Sequence, residues 1–156
     1  MSNSRSNTID MSLLPELIGY HLHRAEIDSY REFMKDFHGS KYTPKQFSVL
    51  VLARANQGIS QGAIGKALGM DRATTMVVVD KLQARRLLSR ERSTGDRRKQ
   101  EIHLTARGIE LTEKLVTHAK AHEASLTANL SSRETATLRK LLLKVRNSPE
   151  NELADM

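Results

Sequence analysis

Apolar residues recur in helical steps along most of this chain, and the exceptions mark where it turns. Leu14, Leu17, Ile18, Leu22, Ala25, Ile27, Tyr30, Phe33, Met34 and Phe37 give residues 12–37 an apolar set broader than one stripe, so a first helix with two neighbours is expected. Thr43, Pro44 and Gln46 supply a cap, a first-turn proline and a side chain able to reach back. They open a second helix that carries Phe47, Val49, Leu50, Leu52 and Ala53 and stops at Gly58. Ser60 caps a third helix over 60–68, with Ile64 and Leu68 inward, before a turn at Gly69. Asp71 then caps a fourth, in which Thr75, Val78, Val79 and Leu82 share one side while Arg72, Ala73, Met76 and Val77 share the other.

After Leu82 the period changes from helical to two. Leu88–Arg92 and residues 99–104, where Ile102 and Leu104 alternate against Glu101 and His103, predict two strands joined through residues 93–98. Thr105 caps a long helix to about residue 128, and Ser131 with Glu134 forms a capping box for a last helix to 146. Ile109, Leu115, Leu126, Leu138, Leu141, Leu142 and Val145 offer more apolar surface than an isolated helix pair can cover, so helices of a partner are expected. The predicted class is mainly α with a small antiparallel β hairpin. Residues 11–147 read as one domain, flanked by a polar, disordered arm over 1–10 and a flexible acidic tail over 148–156.

Charge sharpens this picture. The formal net charge is +7 and the pI about 9.9. Residues 60–108 contain eleven basic against five acidic side chains, so +6 of that excess lies on the fourth helix, the hairpin and their flanks. Such a concentration suits a phosphate backbone. The fourth helix would enter a major groove by its arginine-bearing amino-terminal end, and the hairpin is a wing thin enough to lie along a duplex. Cysteine is absent, which removes disulfides, thiolate metal sites and cysteine-based oxidant sensing. Neither a leader nor an apolar run of bilayer length is present, so a cytoplasmic protein without membrane contact is expected.

The hairpin signature Asp96, Arg98, Ile102, Leu104, Thr105, Gly108 and the upstream run IGKALGMDRATTMVVVDKLQARRLL resemble the MarR family of transcriptional regulators. That resemblance covers nearly the whole chain. It implies a winged helix-turn-helix at 44–105 with N- and C-terminal dimerisation helices at 11–40 and 106–147. The function implied is that of a ligand-responsive repressor binding a palindromic operator in double-stranded DNA as a homodimer. Arg98 would enter the minor groove, held by Asp96, with Arg97, Lys99, Arg86, Arg90 and Arg92 on phosphates. Arg72, Ala73, Met76 and Val77 would face bases, and Thr74 and Gln61 would reach phosphates. Met76 and Val77 depart from the hydroxyl and arginine often found there in the family, so thymine methyls and DNA shape are expected to carry more of the specificity.

The family often binds small anionic aromatics. By position, Tyr20, His21, Arg24, Tyr42 and Phe47 are the candidates here, Arg24 meeting a carboxylate, with an aromatic acid or its coenzyme A thioester as effector. Core packing explains the same residues. His118 and His122 at i, i+4 lack further ligands, so no metal is expected. The Gly65-Lys66 pair does not make a phosphate loop, because Ser60 and Ala67 stand where glycine and a hydroxyl are required. No nucleophile is paired with a base, so neither catalysis nor a cofactor is expected. Two alternatives remain: a non-specific architectural DNA-binding protein and, more remotely, a small-molecule enzyme on a helical scaffold.

Overall fold

The computed structural model describes residues 9–36, 42–92 and 100–146. It divides into two compact units, Met1–Pro44 and Lys45–Met156. The first holds a 3-10 turn, Leu14–Glu16, and helix α1, Ile18–Asp36. A continuous helix over 12–37 is therefore not what forms. Pro15 has no N–H to give the Met11 carbonyl, and the chain instead makes shorter bonds, Leu14 N–H to Met11 O and Leu17 N–H to Leu14 O. Leu17 is extended, and α1 begins only after it. Leu17, Ile18 and Leu22 are exposed.

The second unit takes in most of α2 (Pro44–Ala55), then strand β1 (Ile59–Ser60), α3 (Gln61–Leu68) and α4 (Arg72–Ala84). Strands β2 (Leu88–Arg92) and β3 (Gln100–Leu104) follow, then α5 (Ala106–Leu126) and α6 (Ser132–Val145). The expected hairpin gains a third strand: the antiparallel order is β1-β3-β2, with Ile59 opposite Ile102 and Leu88 opposite Leu104. Ser60 serves twice, pairing with Glu101 in the sheet and capping α3 by accepting the Ala63 amide. The core contains Val49, Leu50 and Ala53 of α2, Ile64 of α3, Val78, Val79 and Leu82 of α4, Leu88, Ile102 and Leu104 of the sheet, and Leu115 of α5. Each Leu or Ile fully buried there contributes roughly 1.5–3 kcal/mol.

Two glycines hold the elements close. A Cβ on Gly65 would lie 2.8 Å from Thr75 Oγ1 and 3.1 Å from the Met70 carbonyl, so α3 and α4 pack backbone to side chain at that point. Gly108 lies against the Leu87 carbonyl, where a Cβ would overlap the oxygen and stand 3.0 Å from Leu104 Cδ2. Around Gly108 the hairpin is tied to α5. Thr105 accepts the Gly108 amide at 3.0 Å, donates its hydroxyl to the Arg86 carbonyl at 2.8 Å, and gives its own N–H to Leu87 O. The Leu-Thr-x-x-Gly part of the signature is thus a joint between the α4–β2 corner and the start of α5.

The last helix carries its capping box as expected, with Ser131 and Glu134 exchanging bonds. The Ser131 hydroxyl, then its amide, hold the Glu134 carboxyl below its ordinary value. Because the folded value is the lowered one, the stabilisation is complete above the unfolded value and is lost as pH falls through the folded one. Glutamine keeps the box but does not titrate. Between about pH 5 and pH 3, Glu134→Gln is therefore expected to show a flatter decline in melting temperature than the parent chain. Parallel melting curves would remove this contribution.

Candidate nucleic-acid interface

The two helices of the helix-turn-helix are set by their caps. Gly69, at φ +61, closes α3 in the left-handed region that glycine adopts without strain. Asp71 then opens α4, accepting the Thr74 amide at 2.8 Å and the Thr74 hydroxyl at 2.7 Å, and these bonds hold its carboxyl below the ordinary range. Thr75 is buried and donates to the Asp71 carbonyl at 2.8 Å. With Thr75, Val78, Val79 and Leu82 inward, Arg72, Ala73, Met76 and Val77 all stand exposed on the opposite side, Met76 at 48% and Val77 at 47%. Thr74 is half-buried and its hydroxyl is committed to the cap. Beside this helix end lies an open cleft whose lining includes Gln61, Lys66, Arg72 and Gln100.

The wing residues fall into three groups. Arg92 and Arg86 are exposed, and Arg86 adopts φ +58. Arg90 is turned inward: on a strand it shares the face of Leu88, and its side chain is only 20% exposed. Its Nη2 donates to Asp80 Oδ1 at 2.6 Å and Gln61 Oε1 at 3.0 Å, and its Nη1 donates to Gln83 Oε1. Asp96, Arg97, Arg98 and Lys99 lie outside the described residues. Sequence reading assigned no role to Asp80 or Gln83. The signal was the alternation from Leu88, which sends Arg90 toward the helices.

The candidate effector residues belong to both units. In the first unit, Tyr20 meets His21 edge to face at 5.5 Å, and His21 Nε2 donates to the Pro15 carbonyl at 2.8 Å. Arg24 is exposed and Tyr42 half-buried; Phe47, half-buried, belongs to the second unit. Of the histidine pair on α5, His122 is buried and His118 exposed. Among the described residues no three His, Cys, Asp or Glu side chains come together as metal ligands. No described helix is long and apolar enough to cross a membrane.

A helix-turn-helix followed by a basic β-ribbon defines a winged-helix protein, the class that the fold and this surface share. The sequence model of the MarR family matches residues 40–99. The chain is 30% identical, over 82% of its length and 78% of the relative's, to a Thauera aromatica protein named for transcriptional regulation of the hcr operon. Among solved structures it is similar to the transcriptional repressor CouR bound to a 23-mer DNA duplex. Identity is 33%, the TM-score 0.84, and 90% of this chain and 99% of that one are covered. CouR is also known bound to p-coumaroyl-CoA. Bordetella bronchiseptica BpsR, whose DNA binding is regulated by 6-hydroxynicotinic acid, matches at 31% identity and a TM-score of 0.82, with 90% and 99% covered. The chain belongs to the MarR family of transcriptional regulators.

Proposed function

We propose that this protein is a homodimeric repressor that places α4 of each subunit in successive major grooves of a palindromic operator and each wing in a flanking minor groove. The observation that carries the proposal is the outward side of α4, where Arg72, Ala73, Met76 and Val77 are exposed over the first half of the helix, next to the β2–β3 ribbon. Arg72 meets bases, with Ala73, Met76 and Val77 around it. Gln61, Thr74, Arg86 and Arg92 are phosphate-side residues, as are Arg97 and Lys99, while Asp96 holds Arg98 for the minor groove. The dimer is supported by α6, whose Leu138, Leu141, Leu142, Leu143 and Val145 are all exposed. A helix of 14 residues with no buried side chain is marginal in water and calls for a covering surface.

The effector class follows from the relatives: CouR binds a coenzyme A thioester of an aromatic acid, and BpsR responds to a hydroxylated aromatic acid. An anionic aromatic of this kind is the inducer here, with Arg24 as the partner of its charge and Tyr20, His21, Tyr42 and Phe47 as the aromatic candidates. Because half-sites lie about one turn, roughly 34 Å, apart, a shift of a few ångströms between the two reading helices is enough to release the operator. The protein acts in the cytoplasm and not as a catalyst.

The test is selection of duplexes from a random pool, followed by titration of the selected and a scrambled duplex at physiological salt. The selected sequence is expected to be a palindrome bound roughly 10³-fold or more tightly than the scramble. Arg98→Ala should weaken that binding and make its salt dependence shallower by about one unit per wing. A ratio near one for the parent chain would favour the architectural alternative and sink the repressor.

A further inference from the structure

We infer that Arg90 is the positioning residue that locks the wing to both helices of the helix-turn-helix, and not one of its phosphate ligands. The inference rests on the regulator reading above and replaces the role that charge alone gives this residue. A guanidinium has five N–H donors in a fixed plane and no acceptor. Arg90 directs its donors at three side chains: Gln61 of α3, and Asp80 and Gln83 of α4. The strand that carries it, β2, is therefore joined side chain to side chain with both helices. Arg86 and Arg92 by contrast are exposed, as a phosphate ligand must be.

Charge makes the same argument. Asp80 is half-exposed beside a surface meant to meet a polyanion, and the guanidinium at 2.6 Å neutralises it. A phosphate on Arg90 would compete with that carboxylate. Gln61 is oriented by the same contact: with Oε1 occupied by Arg90, the amide end it can offer a phosphate is its NH2 group. Arg90 thus sets the angle between wing and reading helix, and with it the match between major-groove and flanking contacts. Lysine, a point charge without the fork, keeps the Asp80 contact and not all three.

The discriminating variant is Asp80→Asn, which raises the net charge by one per subunit. If the pair is only a charge on the surface, this variant binds the selected duplex more tightly and discriminates as before. If Arg90 is a lock, it loses roughly tenfold of the preference for the selected over the scrambled duplex despite the added charge. Arg90→Leu should lose at least as much while leaving the salt slope unchanged, and Arg90→Leu with Asp80→Asn should be no worse than Arg90→Leu alone. Arg90→Lys, the conservative variant, should recover part of the discrimination and shows whether the fold survives at this position. A salt slope lowered by about one per subunit in Arg90→Leu, with discrimination intact, would make Arg90 a phosphate ligand and overturn the inference. A parent chain without discrimination removes the regulator reading and the lock together; a discriminating parent with an unaltered Asp80→Asn overturns the lock alone.

Discussion

Gly108→Ala is expected to lower the melting temperature by roughly 6–12 °C, from an overpacking cost of about 3 kcal/mol. The added methyl has nowhere to go. One neighbour is the Leu87 carbonyl, which already accepts the Thr105 amide, and the other is Leu104 Cδ2 in the core. Backbone cannot yield as a flexible side-chain end can, so α5 has to move away from the α4–β2 corner and the Thr105 bonds to Arg86 and Gly108 are strained with it. Gly62→Ala is the control. Its Cβ would meet nothing within 4 Å, so exchanging glycine for alanine inside α3 should stabilise by about 0.5–1 kcal/mol. Equal melting curves for Gly108→Ala and the parent would mean that the joint is looser than its geometry.

The second large effect is expected if Met76 and Val77 face bases as proposed. Met76 and Val77 are neighbouring apolar side chains, each about half exposed on the side of α4 that carries Arg72, and the thymine C5-methyl is the apolar group that major-groove edges offer. Replacing thymidine by deoxyuridine under α4 removes that methyl and nothing else. Each lost contact should cost roughly fourfold in affinity, from about 0.8 kcal/mol per buried methyl. If each subunit of a dimer covers two such methyls, the four lost contacts together cost roughly 200-fold. Met76→Ala should bring the thymidine and deoxyuridine duplexes closer together, whereas Arg72→Ala should weaken both alike. Indistinguishable affinities of the parent chain for the two duplexes would leave the apolar pair without a role in recognition.

How much of this could be seen in the sequence depended on whether one residue or two elements carried the signal. The division of α4 into a buried and an exposed side follows from spacing alone, because helical geometry fixes which residues are neighbours. The caps at Ser60, Asp71, Thr105 and Ser131 were legible because each joins a short polar side chain to an amide three residues on. Strand β1 was not, since Ile59 and Ser60 become a strand only by pairing with Ile102 and Glu101, more than forty residues away. The interrupted start of α1 was missed because apolar spacing outweighed the missing donor of Pro15. The inward turn of Arg90 was not foreseen because counting charge says nothing about direction; the alternation that turned Leu88 inward applied to it equally. For the wing tip, Asp96 to Lys99, expectation rests on the family signature, and the described structure adds only the strands on either side.

Arg86 exposes a tension between the fold and its task. The corner holds this residue at φ +58, with its amide donating to Gln83 O at 2.8 Å and its carbonyl accepting the Thr105 hydroxyl, so the backbone shape is imposed from both sides. An L side chain costs about 1 kcal/mol in that conformation and glycine does not incur the cost. Arg86→Gly should therefore melt higher and hold a duplex less firmly. A version of this protein selected only for heat resistance would discard an arginine here, and with it the exposed charge that the proposal sets against a phosphate.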